Sequence, residues 1–138
     1  MANVACDTGA KVVPAARRKD ELAALAGKIE ARGGSASYVV ADVSIAKDVE
    51  RMVAHTIETF GRLDYAVNNA GYEGLVASIT DLPEEVWDRV LDINLKGAFL
   101  CMQHEARAML AGGRGGAIVN VRSVNSFLGI AYAPAYVA

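Results

Sequence analysis

Residues 63–71 read Leu-Asp-Tyr-Ala-Val-Asn-Asn-Ala-Gly. The first five are mostly apolar and precede a cluster of turn residues, a pattern that predicts a strand over Leu63–Val67. The next four, Asn68–Gly71, are two amides and two small residues, and small residues let the backbone come close to a ligand. A hydrophobic strand that leads into such a loop indicates a binding site at the carboxyl end of a strand.

Strand and helix patterns alternate on both sides of this stretch. The predicted strands are Lys11–Ala16, Ser37–Ala41, Leu63–Val67 and Ala117–Val121; the predicted helices are Arg18–Arg32, a segment from Ser44 (as N-cap) to Phe60, and Glu84–Leu110. This alternation is typical of parallel β-α-β units with helices on both faces of one sheet. We therefore predict an α/β fold, a partial Rossmann-like doubly wound parallel sheet, in a single domain that spans residues 1–138.

Composition limits the class of protein. The chain has 138 residues, is 53% hydrophobic and carries a formal net charge of −2. Its interspersed charges argue against a nucleic-acid-binding surface, and no apolar run approaches the ~20 residues that span a membrane. The first residues lack a secretory signal, so we expect a cytoplasmic protein. Its two cysteines, Cys6 and Cys101, have no zinc-type spacing, so we predict buried thiols and no metal site.

A polar residue follows each predicted strand. Arg17 follows the first strand, Asp42 the second, Asn69 the third and Ser123 the fourth. In doubly wound sheets, ligands bind at the carboxyl ends of the strands. The alternation of strands and helices thus predicts that these four residues share one ligand-binding edge.

The spacing between two of the chain's hydroxyl residues is the most specific motif. Ser123 stands thirteen residues before Tyr136, with Asn68–Gly71 and the Ile-Asn-Leu-Lys-Gly sequence of Ile93–Gly97 upstream. Together these motifs resemble the short-chain dehydrogenase/reductase family, whose tyrosine is followed four residues later by a lysine. The resemblance covers nearly the whole chain.

The resemblance implies a reaction as well as a fold. It implies hydride transfer between a nicotinamide and a carbonyl or alcohol carbon of a small-molecule substrate. Tyr136 would give or take the proton, and Ser123 would hydrogen-bond the substrate oxygen. Asn94, in the middle of the long helix, would hold a water of the proton relay through a local break in helix bonding.

The resemblance also implies a cofactor. Family members that use NAD carry an acidic residue at the end of the second strand of the complete fold, where this chain has Ala16 followed by Arg17. A guanidinium can bind the 2′-phosphate of NADP in a bidentate manner. We therefore expect NADP, with NAD as the alternative. A competing interpretation is that Arg17 and Arg18 are surface residues at the start of a solvated helix.

Two further segments match cofactor-binding positions of the family. Asp42 would accept a hydrogen bond from the adenine amine, and Val43 would pack on the ring. Asn69, Ala70 and Gly71 would let the backbone approach the cofactor ribose. Asp42 also fits an ordinary turn at a strand end, where aspartate is common.

Residues 1–138 resemble the middle of the family's domain. The first strand with its glycine-rich pyrophosphate loop would precede Met1, and the lysine and last strands would follow Ala138. In the strand order 3-2-1-4-5-6, that first strand lies between the strands at Lys11–Ala16 and Leu63–Val67. We expect two open strand edges, and poor stability of these residues alone.

Three functions remain open from the sequence. The first is an NADP-dependent oxidoreductase of which these residues are part. The second is a catalytically inactive nucleotide-binding protein with the same fold. The third is a structural partner that joins an oligomer through its apolar long helix, Glu84–Leu110. A homo-oligomer through that helix is also expected for an active full-length enzyme.

Overall fold

The computed structural model describes residue 2 and residues 7–138. Its strands are β1 (Lys11–Val12), β2 (Ala15–Ala16), β3 (Ser35–Ala36), β4 (Val39–Val40), β5 (Tyr65–Asn68) and β6 (Ala117–Asn120). Its helices are α1 (Lys19–Glu30), α2 (Ala46–Phe60), α3 (Glu84–Leu91), α4 (Ala98–Ala111) and α5 (Pro134–Val137). A π-helical segment, Asp92–Gly97, joins α3 to α4, and Val124–Ser126 form a 3-10 turn.

All strand pairs in the described residues are parallel, as predicted. β1 pairs with β3, β2 with β4, and β5 with β6. The first predicted strand appears as two short pieces, β1 and β2, because Pro14 has no N–H to donate; of the second predicted strand only β4 forms, and β3 precedes its predicted start at Ser37. The Pro14 carbonyl still accepts from the Val39 N–H at 3.1 Å, so the two neighbouring segments stay joined. The result is the partial Rossmann sheet expected from the sequence.

The sheet is divided in two. Among the described residues, no strand pairing joins β1–β4 to β5–β6. Helices connect the two parts instead: α1 and α2 contact β4, α4 contacts β5 and β6, and α2 packs against α4. This division agrees with the expected position of a central strand between the two parts.

The first two helices form where the apolar stripes predicted them. α1 buries Leu22, Ala26 and Ile29, and α2 buries Val49 and Val53. The α2 helix ends at Gly61, whose φ of 80° lies in the left-handed region that favours glycine. Burial of these stripes against the sheet stabilises both helices.

The prediction of Ser44 as an N-cap was wrong. Helix α2 begins at Ala46 after Ile45, with no side-chain cap. The Ser44 hydroxyl instead donates to Asp42 Oδ1 at 2.6 Å. The Ser44 oxygen accepts from Arg89 Nη1 at 3.0 Å, so its donor is a guanidinium and not a helix N–H group.

The long helix is continuous but changes geometry in its middle. Helical structure runs through α3, the π-helical segment and α4, close to the predicted Glu84–Leu110. The six π-helical residues confirm the predicted local break in α-helical bonding around Asn94. On α4, Cys101 is buried, as predicted, whereas Cys6 lies outside the described residues. Burial, with the adjacent Glu105 charge, raises the pKa of the Cys101 thiol to about 11.

In the part of the chain that the structure describes, no helix has the length and apolar character needed to cross a membrane. The same residues contain no cluster of three or more histidine, cysteine or acidic side chains that could hold a metal.

Candidate active site

The π-helical segment holds the loop that follows β5. The Asn94 side-chain amide accepts from the Tyr72 N–H at 2.8 Å and donates to the Tyr72 carbonyl at 2.9 Å. Because Tyr72 directly follows Gly71, this pair of hydrogen bonds fixes the end of the Asn69–Gly71 loop. All three loop residues are exposed, at the carboxyl end of β5. Both polar groups of the Asn94 side chain are thus used to position this loop.

The same segment contacts the end of β4. A Cβ atom built on Gly97 would lie 2.8 Å from Val43 Cγ2, closer than real contacts allow. The absence of a side chain at Gly97 therefore lets the long helix approach Val43. The π-helical segment thus brings together two of the predicted cofactor-binding positions, Val43 and the loop after β5.

Asp42, at the end of β4, belongs to a hydrogen-bonded cluster with Ser44 and Arg89. Arg89 Nη2 donates to Asp42 Oδ2 at 2.8 Å, and Arg89 Nη1 donates to Ser44 Oγ at 3.0 Å. Burial alone would raise the Asp42 pKa, but the hydrogen bonds from Ser44 and Arg89 outweigh it and lower the pKa to about 2. The carboxylate is therefore charged at neutral pH and tied to α3.

Arg89 was missed by the sequence reasoning. It lies on α3, 47 residues from Asp42 along the chain. Its position in the predicted helix gave no indication of an acidic partner, since the spacing rules for ion pairs reach only three or four residues. Together with the contact between Val43 and Gly97, it joins the two parts of the sheet on the side of the candidate site.

Ser123 lies after β6 at the start of a tight turn. It is half-buried, and its Oγ accepts from the Asn125 N–H at 3.2 Å. The turn Val124–Ser126 contacts α5, and α5 also contacts α3. Tyr136 is a half-buried residue of α5. The structure thus brings the helix of Tyr136 against the turn that Ser123 begins.

The segment before Tyr136 is linked to the loop after β5. The Ala77 N–H donates to the Tyr132 carbonyl at 3.0 Å, and Tyr132 has a φ of 63°. Tyrosine rarely adopts this left-handed conformation, so the surrounding structure imposes it. The link places the segment that leads to Tyr136 beside the continuation of the Asn69–Gly71 loop.

The two arginines before α1 differ. Arg17 is exposed between the end of β2 and the start of α1. Arg18 forms an ion pair with Glu21 at 2.8 Å, one turn into the helix. Arg18 therefore fits the interpretation of a surface residue at a helix start, while Arg17 lies at the strand edge that carries the other predicted binding residues.

The residues present suit a dinucleotide. Exposed small residues at Ala70 and Gly71 leave the backbone open to close approach, and a Cβ atom at Gly71 would come no nearer than 3.9 Å to Asn94 Oδ1. Arg17 offers a cation beside the N-terminus of α1, where the helix dipole also favours an anion.

Comparison with known proteins decides the family. A sequence profile described as short chain dehydrogenase matches residues 1–138, the full length of the chain. The chain belongs to the short-chain dehydrogenase family. One family relative is an A-factor type gamma-butyrolactone 1'-reductase (1S-forming) of Streptomyces virginiae. It is 41% identical over 129 residues, which cover 94% of this chain and 50% of the relative.

Solved structures of the family share this fold. NAD+-bound xylitol dehydrogenase superposes with a TM-score of 0.92 at 29% identity, covering 99% of this chain and 52% of that protein. A variant of actinorhodin polyketide ketoreductase with NADPH also superposes with a TM-score of 0.92, at 30% identity and with the same two coverages. The chain thus spans about half the length of the family members it matches. The chain's relatives and structural neighbours include dehydrogenases and reductases with nicotinamide cofactors.

Proposed function

We propose that the intact protein is an NADP-dependent oxidoreductase that transfers hydride between the nicotinamide and a carbonyl or secondary alcohol carbon. One observation carries this proposal. The helix that contains Tyr136 contacts the turn that begins at Ser123, on the side of the fold where the Asn69–Gly71 loop is held. The elements that carry two hydroxyl residues of the right kinds therefore contact each other, and the segment before Tyr136 is bonded to the continuation of the loop.

The proposed catalytic roles follow from the side chains. The cofactor, when bound, supplies or accepts the hydride. The Tyr136 hydroxyl gives the proton to the substrate oxygen in reduction and takes it back in oxidation. The Ser123 hydroxyl donates a hydrogen bond to the same oxygen, which holds the substrate and stabilises the charge that develops there.

The proposed role of Asn94 needs its backbone. Because its side chain is bonded to Tyr72 in both directions, the water of the proton relay falls to the main chain of the π-helical segment. The side chain contributes by holding the cofactor loop. We thus propose two roles for Asn94: its main chain binds the water of the proton relay, and its side chain holds the cofactor loop.

Asp42, Val43 and the Asn69–Gly71 loop are proposed to bind the adenosine part of the cofactor. The charged Asp42 carboxylate would accept from the adenine amine, while Arg89 holds it in place. The half-buried Val43 would pack on the ring. Asn69, Ala70 and Gly71 would line the ribose.

The preference for NADP rests on Arg17. No acidic residue occupies position 16 or 17, and an exposed guanidinium beside a helix N-terminus suits a 2′-phosphate. The neighbouring structures include one with NAD+ and one with NADPH.

A homo-oligomer is also proposed. Leu95 and Phe99 lie four residues apart on the long helix and are 66% and 54% exposed. Exposed apolar residues at this spacing suit a helix-to-helix contact with a second copy. A cytoplasmic location remains a prediction.

Arg17 provides the test. Initial rates of the intact protein are measured with NADPH and NADH against a panel of cyclic and aliphatic ketones. For Arg17→Asp we expect kcat/KM with NADPH to fall at least about tenfold, while the value with NADH does not fall, because the 2′-phosphate contact is replaced by a carboxylate that repels the phosphate.

Arg18→Asp is the matched control, since it makes the same charge reversal at the neighbouring position. It should alter kcat/KM with both cofactors by less than about threefold. Equal losses for the two variants would contradict the assigned role of Arg17. A protein that binds NADPH but reduces no ketone would favour the catalytically inactive alternative.

A further inference from the structure

A buried carboxyl group lies beneath the ends of β5 and β6. Glu105, on α4, is 4% exposed, and its Oε2 accepts from Asn68 Nδ2 at 3.0 Å. A carboxylate is almost never fully buried unless it is paired, because it loses its hydration. Burial raises the pKa of Glu105, and the hydrogen bond from Asn68 partly offsets that effect. An apolar residue would fill the same space without this cost, so the carboxyl group calls for an explanation.

Glu105 belongs to a series of polar contacts that begins and ends on α4, here called the amide ring. Asn68 Nδ2 also donates to Asn120 Oδ1 at 2.9 Å, and Asn120 Nδ2 lies 3.1 Å from Met102 Sδ. Met102 and Glu105 are one turn apart on α4. The amide ring therefore connects one face of α4 to both strands.

The amide ring lies where the two functional segments begin. Asn68 and Asn120 are the last residues of β5 and β6, and they are partners in the parallel register. One residue beyond Asn68 starts the Asn69–Gly71 loop, and three residues beyond Asn120 lies Ser123. A rotation of the Asn68 side chain would therefore change the position of the Asn69–Gly71 loop relative to Ser123.

We infer that Glu105 is a positioning residue: through Asn68 and Asn120 it fixes the placement of the Asn69–Gly71 loop relative to Ser123. This inference rests on the proposed function, since it concerns how that site is assembled. A displacement of about 1 Å between a cofactor and a catalytic group can cost roughly 100-fold in rate. We therefore expect loss of this hydrogen bond to lower the activity of the folded enzyme as well as its stability.

Three substitutions in the intact protein test this role. Glu105→Leu removes the acceptor and should lower kcat/KM of the folded enzyme by about 10- to 100-fold. Glu105→Gln keeps an oxygen facing Asn68 and should stay within about threefold of wild type. Met109→Ala is the control: Met109 is buried on the same helix, next to Gly116 and away from Asn68. It should lower the melting temperature and leave kcat/KM unchanged.

A second set of variants keeps the test decisive if Glu105→Leu does not fold. In this swapped pair, the amide at position 68 and the carboxyl group at position 105 are exchanged. Asn68→Asp alone places two carboxyl groups face to face and should lower kcat/KM at least about tenfold. Adding Glu105→Gln restores a donor opposite an acceptor in the reverse direction. The Asn120 amide can turn over and donate to the new carboxylate where it now accepts from Asn68, so we expect most of the loss to be recovered. A purely structural residue would show changes in melting temperature that are not matched in the kinetics of the folded enzyme.

The outcomes separate the inference from the function it rests on. A wild-type protein that neither binds NADP(H) nor turns over a ketone overturns the proposed function and the inference together. An active wild type combined with a folded Glu105→Leu variant of normal kcat/KM overturns the inference alone. The same holds if the swapped pair recovers nothing.

Discussion

The two parts of the divided sheet differ in strand length and in what holds them together. In the part formed by β1–β4, each strand is two residues long, and the pairing passes a proline. In the part formed by β5 and β6, four residues pair in unbroken register, and the amide ring ties both strands to α4. The first part carries the predicted adenine and phosphate contacts, and the second carries the Asn69–Gly71 ribose loop and Ser123 and leads towards Tyr136.

The difference indicates a division of labour. Recognition of a cofactor tolerates small displacements, whereas proton and hydride transfer require close placement of the reacting groups. The more tightly bonded part of the sheet is the one proposed to hold the chemistry. The two parts meet through side chains, the Asp42 and Arg89 pair and the contact of Val43 with Gly97.

The largest effect is expected for a substitution at Tyr136, which should lower the catalytic rate without weakening cofactor binding. Tyr136→Phe in the intact protein removes the proposed proton donor and should lower kcat by about 10²- to 10⁴-fold. The dissociation constant for NADPH should stay near the wild-type value, because the ring remains and the cofactor contacts lie elsewhere. Steady-state kinetics and fluorescence titration measure the two quantities. A variant that retains wild-type kcat would move the proton transfer to another group.

A smaller effect, on stability, is expected at the contact between Gly97 and Val43, where the two parts of the sheet are joined. Gly97→Ala places a methyl group 2.8 Å from Val43 Cγ2 and 3.3 Å from the Asp92 carbonyl oxygen. Overpacking of this kind costs about 1–3 kcal/mol in the free energy of unfolding. Denaturant melts measure the loss, and cofactor affinity should weaken with it, since Val43 must move.

The matched double variant Gly97→Ala with Val43→Ala removes the clash and should regain part of that stability. If Gly97→Ala is as stable as wild type, the approach of the long helix to β4 is looser than the structure shows.

The smallest effect concerns the Asp42 and Arg89 pair and depends on pH. The folded-state pKa of Asp42, about 2, is below its ordinary value of 3.8. The pair therefore contributes stability that is fully present above pH 3.8 and is lost as the pH falls through about 2. Because Arg89 is partly exposed, we expect Arg89→Met to cost only about 1 kcal/mol near neutral pH.

The stability difference between wild type and Arg89→Met should shrink in urea melts as the pH is lowered towards 2. The Asp42 carboxyl resonance, followed by NMR, should titrate at higher pH in the variant. An unchanged titration would mean that Ser44, rather than Arg89, holds the carboxylate in its charged form.

Local sequence patterns predicted the helices and strands of this fold well. They did not predict contacts between residues that are far apart along the chain. The stripes of α1 and α2 and the strand before Asn68 were confirmed because each depends on residues within a few positions. The start of α2 was misplaced, because the Ser44 hydroxyl is bonded to Asp42 and Arg89 and not to a helix N–H. Arg89 and Glu105 were not found, since their partners lie 47 and 37 residues away along the chain.

The residues of the candidate site were predicted by the order of strands and by family motifs. The structure adds how they are held: Asn94 by Tyr72, Val43 by Gly97, and Asp42 by Arg89. None of these contacts follows from composition or spacing, because each depends on how the helices pack on the sheet.

The π-helical segment also sets the phase of the helix beyond it. Bonding from residue i to i+5 takes in one residue more than α-helical bonding, and one residue corresponds to a rotation of about 100° around the helix axis. If the same residues were all α-helical, Glu105 would be rotated by about 100° around the helix axis and would face away from Asn68. The π-helical segment therefore sets the rotation of the following helix about its axis. That rotation determines the direction of the Glu105 carboxyl group, more than two turns further along the chain.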